Sequence, residues 1–220
     1  MNYYNYVNGE KVNSAITYNS LKIGDVVFID ARMDWGNIGK YIQIIERGGL
    51  YPEQEFIPNY LGIVVEENED LSQVKIIQAS YLGVAITSLN KWIDQPKCNI
   101  IVKRYNDLFT DREKKQMKSW LKSKLKVSYD FLQLFSIVVR GLLLTSCHYE
   151  AIKYFLERLV TNPLDSKIKF VSSELVFDAY LEILHISIWT EDNPGFVTPW
   201  DIFRSKSFRT ILKYFNFDYE

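Results

Sequence analysis

Few side chains in this 220-residue chain could carry out covalent chemistry. There are two cysteines, Cys98 and Cys147, and two histidines, His148 and His185. That is too few for a disulfide framework or a histidine-rich metal centre, and a reducing compartment fits the cysteine usage. Cys147 and His148 are neighbours, but adjacent residues on a helix point about 100° apart and do not face each other. They read as a part-buried cysteine beside a surface histidine. Cys98, after Pro96 and before an apolar run, reads as a small inert hydrophobe. His185 closes a helical pattern, where an imidazolium suits the negative helix end.

The stretch with most chemical promise runs from Phe170 to Tyr180, Phe-Val-Ser-Ser-Glu-Leu-Val-Phe-Asp-Ala-Tyr. Leu175, Val176, Ala179, Tyr180, Ile183 and Leu184 recur at the spacing of one helix face. Ser172 or Ser173 is therefore expected at the N-cap, with backbone N–H groups pointing into a pocket above. Nucleophiles are often set at such positions because the positive helix end favours an anionic oxygen or sulfur. Simple capping is the plainer role for Ser172.

Elements before this helix must position it. Gly24 to Ile29, Tyr60 to Glu66, Val74 to Ser80, Val84 to Thr87 and Ile100 to Tyr105 read as strands. Ile38, Tyr41, Ile42 and Ile45 predict a short helix over 34–47, stopped by Gly48-Gly49. Thr110 and Glu113 form a capping-box signature for a helix to Lys124, with Met117, Trp120 and Leu121 on its apolar face. Further helices are expected from Tyr129-Asp130 and over Tyr149 to Leu159. Thr198-Pro199 starts a short helix and Phe208 to Tyr214 closes the chain as a strand. The lysines at 114, 115, 118, 122, 124 and 126 read as a solvated basic face.

Net charge is −1, hydrophobic residues make up 47% and charged residues 24%. These values describe an ordinary globular protein and give no global signal for nucleic acid. Residues 1–20 are polar, rich in Asn and Tyr, and lack the basic and apolar regions of a secretory signal. They are expected to be a loosely ordered arm before a single domain over 21–220. Phe131 to Leu144, the longest apolar run, is interrupted by Gln133 and Arg140 and is too short for a membrane span. The expected class is α+β, a small antiparallel sheet packed against helices. Aromatic content of 15% hints at a surface used for assembly.

Several segments together resemble a known family, the circularly permuted NlpC/P60 group of papain-like proteins, in its YiiX/YebB-like branch. They are Gly24-Asp25-Val26-Val27-Phe28, Ile38-Gly39-Lys40-Tyr41-Ile42-Gln43, Leu61-Gly62-Ile63-Val64-Val65 and Gln78-Ala79 with Gly83-Val84. Tyr129-Asp130-Phe131, Ser173-Glu174-Leu175-Val176, and Thr198-Pro199-Trp200-Asp201 with Ser205 complete the set, over roughly residues 21 to 215.

The resemblance implies a papain-like fold and an ancestry of thiol hydrolases or acyltransferases acting on amide or ester bonds. It aligns the family's base histidine with Tyr60, its polar orienter with Gln78 and its nucleophilic cysteine with Ser172. All three positions have changed, and the substitutions matter. A histidine titrates near neutrality and lowers the thiol pKa, whereas a tyrosine near pKa 10 is a proton donor at pH 7. A glutamine cannot stabilise an imidazolium by charge.

The expectation is therefore a pseudoenzyme with degenerate positions Tyr60, Gln78 and Ser172, no metal and no cofactor. Its role would be structural, binding other protein chains in a multi-subunit assembly such as a phage virion. The alternative is an atypical serine hydrolase or acyltransferase using Ser172. A peptide or lipid ligand in the residual groove is a third possibility. The expected location is the cytoplasm, or a virion if phage-encoded.

Overall fold

The computed structural model describes residues 4–7, 10–12, 21–31, 56–95, 98–107, 109–131, 170–188 and 197–215. The helix predicted over 34–47, the one over Tyr149 to Leu159 and the Cys147-His148 pair lie outside these residues.

Eight strands form one sheet: β1 (Tyr4–Val7), β2 (Glu10–Val12), β3 (Val26–Ala31), β4 (Tyr60–Glu66), β5 (Lys75–Ser80), β6 (Gly83–Ser88), β7 (Cys98–Tyr105) and β8 (Phe208–Phe215). Their order is β2-β1-β8-β7-β3-β4-β5-β6, with every neighbouring pair antiparallel. The sheet is thus larger than the small one expected. The extra strands come from the segment read as a loose arm, where β1 pairs with β2 and then with β8. Backbone pairing carried this extension, and polar composition does not signal it.

The strands read as unbroken apolar runs because both faces of the sheet are covered. Val26 and Phe28 enter one core cluster, and Val27 and Ile29 the other. Likewise Leu61, Ile63 and Val65 face one way and Val64 the other.

On the first face lie α2 (Asp111–Ser123), α3 (Ser172–Leu184) and α4 (Pro199–Arg204), supplying Met117, Leu121, Leu175, Val176, Tyr180 and Ile202. On the second, a short α1 (Asn90–Ile93) brings Trp92 against Tyr60, Ile76 and Ile100. Thr110 and Glu113 cap α2 reciprocally, and Thr198 and Asp201 do the same for α4 with Pro199 at its first position.

Candidate functional site

The predicted helix exists as α3, but its cap differs from expectation. Val171 is the N-cap and has no side-chain oxygen to offer, while Ser172 and Ser173 are the first two helical residues. The Glu174 carboxylate accepts a 3.4 Å hydrogen bond from the Val171 N–H. The serines sit inside the helix because Val171, extended at φ −88° and ψ 163°, follows Phe170, which bridges to Tyr129. That tertiary pairing sets where the helix begins, and propensity alone puts the serine one place too early.

Direction follows from the far end of α3. The Tyr180 hydroxyl donates to the Gly24 carbonyl at 2.6 Å, and the Gly24 N–H donates to Val64 at 3.0 Å. Tyr180 therefore lies over the Val64 end of β4. Ser172 is about 12 Å back along the helix and Tyr60 about 13 Å back along the strand. The start of α3 accordingly falls at the Tyr60 end of the sheet.

Residues after α2 close the same corner. Val84 and Val127 pair through backbone bonds of 2.8 Å and, via Lys126, 2.9 Å, bringing Tyr129 to Phe170. Burial, the nearby Tyr60 phenol and Asp130 push the Tyr129 phenol up to about 12. Burial, with Tyr81 adding to it, also raises Tyr60. Both phenols are held as donors at neutral pH.

The three positions singled out from the sequence are distributed as follows. Tyr60 and Gln78 are joined through Trp92, whose ring centroid lies 5.0 Å from that of Tyr60 and whose indole N–H donates to Gln78 Oε1 at 3.1 Å. Trp92 belongs to the sheet face opposite α3. No hydrogen bond links Ser172 to Tyr60 or Gln78. Among the described residues no histidine or carboxylate is hydrogen-bonded to the Ser172 hydroxyl; Glu174 instead bonds the Val171 N–H. Asp130, buried beside Tyr129, belongs to the Tyr129-Asp130-Phe131 segment of the resemblance, which gives it no site role.

Cys98 is fully buried and His185 ends α3 in the left-handed region at φ 54°. Among the described residues no group of three or more His, Cys, Asp and Glu side chains is placed to hold a metal ion. At the opposite end of α3 a cavity of about 130 Å³ is lined by Lys22, Asp25, Arg104, Asp107 and Phe109. Its Arg104 grips Asp25 with two 2.7 Å bonds, and burial pushes the Asp25 carboxyl up against that pull.

The corner described above belongs to a fold of known type. The crystal structure of the metalloprotein YiiX from Escherichia coli O157:H7 is similar with a TM-score of 0.55 and 16% identity. The match covers 87% of this chain and 96% of that one. At that identity the likeness establishes a YiiX-like α+β fold and nothing about activity. No family model and no curated protein matches the sequence. No described helix is long and apolar enough to cross a membrane.

Proposed function

We propose that this chain is a catalytically inactive module of permuted papain-like, NlpC/P60-type ancestry, with a structural or protein-binding role. One observation carries the reading. The would-be nucleophile Ser172 has no histidine or carboxylate hydrogen-bonded to it among the described residues, and the Tyr60 and Tyr129 phenols are held protonated. A serine without a base within hydrogen-bond reach is a poor nucleophile at neutral pH. The chain would act in a larger protein assembly, a virion being one such setting.

A fluorophosphonate probe tests this directly. The expected outcome is no covalent adduct on Ser172 at pH 7–8. An adduct abolished by Ser172→Ala would instead establish the serine hydrolase or acyltransferase. Restoring Tyr60→His, Gln78→Glu and Ser172→Cys together tests the alignment through the rate at which iodoacetamide alkylates the thiol at neutral pH, compared with Ser172→Cys alone; acceleration would support it although Tyr60 and Gln78 now pack with Trp92 on the face away from α3. Equal rates would refute the ancestral alignment of these positions. Native mass analysis is expected to show self-association or a co-purifying protein partner, and a strictly monomeric, partnerless chain would count against the assembly role.

A further inference from the structure

The cavity of about 130 Å³ at the far end of α3 stands on a fully bonded floor. Asp25 is buried and takes two 2.7 Å bonds from Arg104 and a third, also 2.7 Å, from the Lys22 N–H. The Gly24 N–H donates to the Val64 carbonyl, and the Gly24 carbonyl accepts from the Tyr180 hydroxyl. A Cβ at Gly24 would come within 2.2 Å of the Phe109 ring, so only glycine lets that ring lie against the backbone. Phe109 in turn stacks on Tyr105, with centroids 5.9 Å apart and planes 22° from parallel. The two rings give the cavity an aromatic wall.

Charge and size narrow the ligand. Three cations line the cavity, Lys22, Arg104 and Lys114, against two carboxylates, Asp25 and Asp107. Asp25 neutralises Arg104 through the paired bonds, which leaves two lysines to one carboxylate. Lys22 and Lys114 reach their acidic partners, Glu67 and Asp111, only at 3.4 and 3.8 Å, longer than the about 2.7–2.9 Å of a well-made charged bond. An ammonium carries more donors than one such contact uses, so each lysine can take a further acceptor. The surplus of one positive charge suits a monoanion. The volume is close to the roughly 150 Å³ of a cavity that holds one benzene ring, and the aromatic wall suits a ring or another flat apolar body.

We infer that this cavity binds a small organic monocarboxylate with a single-ring apolar body, its carboxylate taken by Lys22 and Lys114 and its ring by Tyr105 and Phe109. The site is separate from the Ser172 end of α3 and stands whether or not that serine is inert.

Amide NMR of the full ¹⁵N-labelled chain tests it, with benzoate, benzyl alcohol and acetate titrated at neutral pH and constant ionic strength. Benzoate is expected to give saturable shifts centred on Gly24, Asp25, Tyr105 and Phe109. Its Kd should lie about tenfold or more below those of the other two, since each lacks one half of the ligand. Lys22→Gln and Lys114→Gln should each weaken benzoate about threefold. Lys115→Gln, exposed on the same helix and outside the cavity, should leave it unchanged. The same spectra show whether each variant remains folded. Absence of saturable benzoate shifts at these amides would overturn the proposal. So would equal affinity for benzyl alcohol or acetate, or an unchanged benzoate Kd in both cavity-lysine variants.

Discussion

Tyr180 shows how one polar atom can be fixed in an apolar core. Its ring is fully buried among Tyr105, Phe109 and Phe208, and its hydroxyl reaches the Gly24 carbonyl at 2.6 Å. Tyr180→Phe leaves that carbonyl unpaired, and urea denaturation should show a loss of about 1–3 kcal/mol. Lys103 is a second case. Its ammonium sits 3.9 Å from the Phe203 ring centroid and donates to the Phe203 carbonyl, and burial, with Lys213 nearby, lowers its pKa to about 8. An unfolded lysine titrates near ~10.4. Between about pH 8 and 10 the unfolded chain binds more protons, so this contribution to stability rises with pH and is lost as pH falls through 8. The urea midpoint is expected to rise from pH 7.5 to 9.5, and Lys103→Met should flatten that rise. An unchanged slope in the variant would assign it to another group.

At the scale of elements, the capping boxes were legible because their signals are local. Thr110 with Glu113, and Thr198 with Asp201, specify their partners within four residues. Thr198→Ala should cost about 1–2 kcal/mol by chemical denaturation and Thr110→Ala less, since Thr198 is buried and Thr110 is exposed. Gly83 has a tertiary reason for its identity. It sits at φ +97°, and a Cβ there would come within 2.6 Å of the Val127 carbonyl oxygen. Gly83→Ala is expected to destabilise by about 1–3 kcal/mol. Amide exchange should quicken at Val84, whose N–H donates to the Val127 carbonyl, and at Lys126, whose N–H donates to the Val84 carbonyl. The start of α3 was misplaced by one residue because the Tyr129–Phe170 bridge, which spans a long sequence separation, fixes it.

For the whole molecule, the two core clusters share one sheet, and β3, β4, β5 and β7 each send alternate residues to both. Neither cluster can open without exposing the other through the strands they share. Trp92 reports one face and Trp120 packs against the other. Unfolding of the sheet is therefore expected to be a single transition. Ile63→Ala and Ile76→Ala, on opposite faces, should each cost about 2–5 kcal/mol while shifting both tryptophan signals together. Separate midpoints for the two signals would contradict this coupling.

The apolar runs, turns and caps are written in neighbouring residues, so the sequence by itself determined the strands β3 to β8, the helices α2 and α4, and the α+β class. Only the tertiary structure decided that the Asn- and Tyr-rich start extends the sheet, and that Gln78 turns to Trp92 on the face away from α3. It likewise decided that Ser172 and Ser173 are buried as the first two residues of α3. Pairings between distant segments and the burial of a polar atom depend on what the rest of the chain places around it, and no local pattern encodes that.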